Sequence, residues 1–137
     1  MRTKHFIDDP ERLVDDFLRS LPLVNPACRV DIDNRIAYAP ACVSNDRVAV
    51  VSGGGSGHEP SFSGYVGPGI LSAAVAGTIF ASPSAEQVLV GITSRVDAEK
   101  GILVVVMNYT GDILNFCMAV EKAKAAGSDV EIGRAHV

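Results

Sequence analysis

Apolar residues change their period several times along the chain, and each change predicts an element. From Asp9 to Leu21, the residues Leu13, Val14, Phe17, Leu18 and Leu21 recur at helical spacing, with Asp9 as N-cap and Pro10 at the first position, so an amphipathic helix is expected. The stretch Val24 to Asn45, broken by Pro26 and Pro40, reads as mostly irregular, with a short strand hinted only at Arg35 to Tyr38. Arg47 to Val51 reads as a short buried strand that ends at the glycine-rich run SGGGSGHEP. In GYVGPGILSAAVAG, Pro68 near a start and Gly77 past an end predict a short, tightly packed helix, followed by a strand over Thr78 to Ala81. Ser84 and Gln87 form a capping-box pattern ahead of Val88, Leu89, Ile92 and Val96, which predicts a second amphipathic helix. Gly101 to Met107 is a β-branched run of the kind found in strands buried on both faces. After it, Ile113, Phe116, Cys117 and Val120 share one face of a helix that carries Asp112 at its N-cap and stops at Gly127.

This alternation of strands and helices predicts an α/β fold, a sheet with a substantial parallel component flanked by helices. Ligands of such sheets bind beyond the carboxyl ends of the strands, where two loops are chemically rich: Ser52 to Pro60 and Asn108 to Asp112.

Composition narrows the function classes. The 137 residues are 47% apolar and carry a net charge of −4, the balance of a globular chain forming one domain or part of one. The absence of a basic cluster speaks against nucleic acid as a partner, since that affinity comes mainly from Lys and Arg on phosphates. The longest apolar stretch, Ile102 to Met107, is far short of the roughly 20 residues that span a bilayer, so no membrane role is expected. The opening MRTKHFIDDPER lacks the continuous apolar run of an export signal, and a cytoplasmic location is expected. Cys28, Cys42 and Cys117 show no C-x-x-C spacing, so they read as buried or half-buried thiols, and no metal site is expected.

The run Gly53, Gly54, Gly55, Ser56, Gly57 lets backbone approach a ligand closely, and consecutive N–H groups there suit a phosphate or a small polyol; a tight turn is the plain alternative. It is not a Walker A loop, and His58 stands where both the dinucleotide fingerprint and the nucleophile elbow need glycine. His58 itself is either an acid–base group toward a bound hydroxyl or a donor that steadies its loop. Asp112 is either an N-cap or a carboxylate that orients and deprotonates a substrate hydroxyl, and the two roles are compatible.

Three separated motifs, VSGGGSGHEPSFSGYVGPG, IFASPSAEQV and NYTGDILNF, together resemble the dihydroxyacetone (glycerone) kinase family, at the beginning of its substrate-binding K domain. The resemblance runs over nearly the whole chain to about Val130 and implies a fold that is the first, truncated part of that domain. It implies phosphorylation of dihydroxyacetone or another short ketose, with Gly55, Ser56, Gly57 and His58 lining the substrate, His58 in acid–base work and Asp112 as the base toward the attacking hydroxyl. No cofactor is then bound by this segment: ATP with Mg2+, or a phosphoprotein donor, is expected on a separate L-type nucleotide-binding domain or subunit. A homodimer of the complete protein is implied as well. The family also holds its ketone covalently on a histidine farther along the K domain, whereas after His58 this sequence has only His136. One departure stands inside the motifs. The family usually places Lys before NYTGD, and this chain has Met107, which leaves open a catalytically silent ketose-binding or regulatory paralogue.

The last residues read EIGRAHV, and their back-translation resembles a sequencing adapter. Residues 1–131 are therefore read as the N-terminal portion of a K domain and residues 132–137 as a non-native tail. On that reading an edge and apolar surface are left uncovered, so the chain alone is expected to aggregate or stay molten.

Overall fold

A computed structural model describes residues 9–40 and 47–134. Asp9 accepts the Glu11 N–H at 3.0 Å and starts a 3-10 turn, Pro10–Arg12, which leads into helix α1, Leu13–Val24. Its apolar stripe of Val14, Leu18 and Leu21 is buried, as the spacing predicts, and the helix runs on through Pro22 in its last turn. The following region is a hairpin: β2, Ile36–Tyr38, falls within the short strand hinted at Arg35 to Tyr38, whereas β1, Arg29–Asp31, lies where irregular chain is expected, three residues being too few to show a period. Asp31 closes the turn by accepting from the Asn34 backbone and side chain, and it pins the hairpin to the end of α2 (Ala85–Ser94) through Arg95, whose Nη2 lies 2.7 Å from Oδ2.

Strand β3, Ala49–Ser56, corrects the expectation that a strand gives way to a glycine loop after Val51. The glycines are strand residues, buried between β4, Ala73–Ile79, and β5, Ile102–Val106. Gly53 shows why: a Cβ there would stand 2.2 Å from the Val75 carbonyl oxygen, so a larger residue would push the two strands apart. β4 corrects a second expectation, the helix over 68–77. Its residues are parcelled out with period two: Ala73 and Val75 enter the core on one face of the sheet, Ala74 and Ala76 the core on the other. Small side chains that locally suit a helix here allow close packing on both sides of a central strand.

β6, Val130–Arg134, completes a six-stranded sheet in the order β1-β2-β4-β3-β5-β6. Pairing is antiparallel through β1, β2 and β4 and parallel from β4 through β3 and β5 to β6. The predicted mixed sheet with a parallel component, flanked by helices, is thus present. Residues 132–137, read from their back-translation as a non-native tail, lie partly in β6 and partly outside the described residues; Cys42 and His136 lie outside them too.

Two helices cover one face. α2 begins at the expected capping box, with the Ser84 hydroxyl accepting the Gln87 N–H and the Gln87 side chain accepting the Ser84 N–H. Helix α3, Thr110–Ala125, buries Phe116, Ala119, Val120 and Ala123 against Val104, Val88 and Ile92. Its last turn carries Lys122 and Lys124, and Gly127 follows at φ 92°. The opposite face is covered by α1 and by the 57–72 connection, chiefly over β1, β2 and β4. β5 is therefore not buried on both faces: Leu103 and Val105 are 38% and 43% exposed, while Ile102, Val104 and Val106 are buried. Among the described residues no helix is long and apolar enough to cross a membrane.

Candidate active site

The connections leaving β3 and β5 depart in opposite directions. The link from β3 crosses the α1 face to β4, whereas β5 passes through α3 on the other face to β6. A crevice therefore opens between the carboxyl ends of these neighbouring strands, the place where open α/β sheets bind ligands. It holds a cavity of about 350 Å³ lined by Gly55 from β3, His58 just beyond it, Phe80 and Ser82 after β4, and Met107, Tyr109, Gly111 and Asp112 around the β5–α3 turn.

Asp112 sits in the first turn of α3, not at its cap; Tyr109 is the cap residue and makes no side-chain cap bond. The shift matters. An N-cap carboxylate is spent on backbone N–H groups, whereas Asp112 is 5% exposed and its Oδ1 is buried without a hydrogen-bond partner among the described residues. Leaving such an oxygen unpaired costs roughly 1–3 kcal/mol or more, so it marks a position waiting for a donor. Met107 Cε and Asp112 Oδ2 lie 3.5 and 3.6 Å from the point where a side chain on Gly54 would begin, which places both beneath the glycine strand.

His58 is exposed and meets Phe80 edge-on, with ring centroids 5.4 Å apart and an interplanar angle of 69°. The two other proposed substrate-lining residues point elsewhere. The Ser56 hydroxyl is buried and donates to the Gly77 carbonyl at 2.9 Å, tying β3 to β4. The Gly57 N–H donates to both carboxylate oxygens of Glu59 at 3.0 Å. Ser56 and Gly57 both line a separate apolar hollow against Leu13, Phe17 and Ile79 of α1 and β4. An anion nest along Gly53–Gly57 is thus not formed: the strand glycines pair in the sheet, and the next N–H already has an acceptor. Of the proposed residues, Gly55, His58, Met107 and Asp112 share the cavity.

Sequence reasoning gives no site role to Phe80, Ser82, Tyr109 or Gly111, although all four fall within its motifs. Ser82 is brought in by the turn after β4, which the Asn115 side chain fixes by donating to the Pro83 carbonyl at 2.9 Å. Nothing local to IFASPS foretells that tie from α3. Among the described residues no cluster of His, Cys, Asp and Glu could hold a metal ion.

The family model described as the Dak1 domain matches residues 19–135. Dihydroxyacetone kinase 2 of Saccharomyces cerevisiae is 45% identical over 136 residues, a match covering 96% of this chain and 23% of the yeast protein. The crystal structure of the dihydroxyacetone kinase from Citrobacter freundii in complex with AMP-PNP and Mg2+ superposes with a TM-score of 0.86 at 40% identity, covering 98% of this chain and 26% of that one. A dihydroxyacetone kinase operon co-activator superposes with a TM-score of 0.78 at 32% identity, covering 89% of this chain and 37% of the other. The chain therefore spans about a quarter of the length of the kinases it matches.

Proposed function

Because the chain belongs to the Dak1 domain family, the K domain of dihydroxyacetone kinases, we propose that it supplies the ketose-binding part of a kinase that phosphorylates dihydroxyacetone or a similar short ketose. The observation that carries this reading is the buried, unpartnered Oδ1 of Asp112 in a cavity shared with His58. A hydroxyl of the ketose donates to that carboxylate and supplies the missing hydrogen bond. As the hydroxyl oxygen attacks phosphorus, its proton passes to Asp112, and His58 exchanges a proton with a neighbouring ketose oxygen. The chain's contribution is position: a bound alcohol held at fixed distance from a base, in a crevice whose floor is backbone.

The phosphoryl donor, ATP with Mg2+ or a phosphoprotein, belongs to a separate L-type domain or subunit in this reading. Homodimer formation and a cytoplasmic location are further parts of the proposal.

Met107 favours a second reading. It puts a thioether in the cavity where a Lys would supply a positive charge and three donors, and a co-activator is among the proteins with this fold. A catalytically silent ketose binder would keep the cavity and lose the turnover.

Both readings are tested in a graft in which residues 19–135 replace the matching segment of the C. freundii enzyme. The kinase reading expects measurable phosphorylation of dihydroxyacetone, an Asp112→Asn loss of about a hundredfold or more in kcat, and a rise with Met107→Lys. Ketose binding without phosphorylation, unrelieved by Met107→Lys, favours the silent binder; neither binding nor turnover defeats both.

A further inference from the structure

His58 is placed for proton transfer but has little to hold it there. It follows a glycine, its side chain is exposed, and among the described residues no hydrogen bond fixes its imidazole. A histidine that works as acid or base needs its ring orientation set by a neighbour, usually a carboxylate or carbonyl. The neighbour here is Phe80, whose ring meets the imidazole in a T-shaped arrangement.

Phe80 is an odd residue where it stands. Its φ is 53°, in the left-handed region, where a bulky side chain is uncommon and marks a site under constraint. Core burial does not explain it, since the residue is 71% exposed. The conformation is fixed from two sides. The Phe80 N–H donates to the Ser56 carbonyl at 2.8 Å, and the ring lies against Gly57, whose φ is 108°. A Cβ on Gly57 would stand 2.7 Å from Phe80 Cε1, so the ring occupies the space that the missing side chain leaves. The same ring then contributes to the cavity wall beside His58. The end of β3 and a constrained turn after β4 are thereby held together, with the histidine against the same ring.

We propose that Phe80 is a positioning residue that sets the orientation of the His58 imidazole toward the bound ketose, with Gly57 serving as the seat for its ring. The proposal rests on the acid–base role given to His58 above. It is tested by a double-mutant cycle in the same graft, with dihydroxyacetone as substrate. Phe80→Leu, which keeps apolar bulk but removes the aromatic ring, should lower kcat about ten- to hundredfold, while KM for dihydroxyacetone moves less than about threefold. Phe80→Tyr should keep kcat within about threefold. In a His58→Asn background, Phe80→Leu should change kcat by less than about twofold, because nothing is left to position.

A Phe80→Leu loss of the same size in both backgrounds, or no loss with His58 present, overturns the proposal. If His58→Asn itself leaves kcat unchanged, the acid–base reading of His58 has failed and the positioning role falls with it. A full His58→Asn loss beside a neutral Phe80→Leu removes only the positioning role. Should Phe80→Leu unfold the graft, judged by circular dichroism, Phe80→Met replaces it in the cycle, and the same dependence on His58 is expected.

Discussion

The two faces of the sheet use the same strands and receive different cover. On one, α2 lays Val88 and Ile92 over the β4 side and α3 lays Phe116 and Val120 over β5 and β6, and every inward residue of β5 is buried. On the other, α1 and the 57–72 connection cover the β1, β2 and β4 side, and the alternate β5 residues Leu103 and Val105 face outward. The strand ILVVV is uniformly apolar, so its sequence cannot say which face is covered. Burial is decided by the neighbour, and only the neighbour's own pattern predicts it.

The comparison breaks first at Phe116, which is fully buried on the helical face. Phe116→Ala should cost about 3–5 kcal/mol in urea unfolding of the graft, the largest single effect expected. Leu18→Ala, the deepest α1 contact on the opposite face, should cost about 2–4 kcal/mol; a larger loss there than at Phe116 would reverse the ranking of the two faces. Asp31 sharpens the contrast, because it ties the hairpin at one edge of the sheet to α2. Burial pushes its pKa up, but hydrogen bonds from the Asn34 side chain, Arg95 and the Asn34 backbone, with the Arg95 charge, outweigh that and hold it below its ordinary value. Its folded pKa being depressed, its stabilisation is present above the ordinary aspartate value of about 4 and is lost as pH falls through the lower folded value. Asp31→Asn should cost about 1–2 kcal/mol at neutral pH in the graft, and the gap to the unsubstituted graft should narrow in melts below about pH 4. Leu103→Lys with Val105→Lys should change stability least, within about 0.5 kcal/mol, and should lower self-association in light scattering. A cost of several kcal/mol would mean that this face is packed.

What could be read in advance follows the range of the interaction. The capping box of α2, the stripe of α1 and the glycine stop after α3 are local chemistry, legible in Ser84, Gln87, Leu18 and Gly127. β4 is not: AAVAG suits a close-packed helix locally, and only pairing with β2 and β3 makes it a strand. The glycines were legible as unusual but not as strand, since the reason for Gly53 is a carbonyl 22 residues away at Val75. For the site, His58, Met107 and Asp112 were found because their motifs are distinctive. Phe80 was not, because a positive φ and a seat on Gly57 exist only in three dimensions.

The claim that Asp112 receives a ketose hydroxyl is tested most directly by a crystal structure of the graft soaked with dihydroxyacetone. The account predicts a hydroxyl oxygen about 2.6–3.2 Å from the Asp112 carboxylate, inside the cavity that His58 and Phe80 wall. Ketose bound elsewhere, or bound in this cavity with Oδ1 still unpartnered, would contradict it.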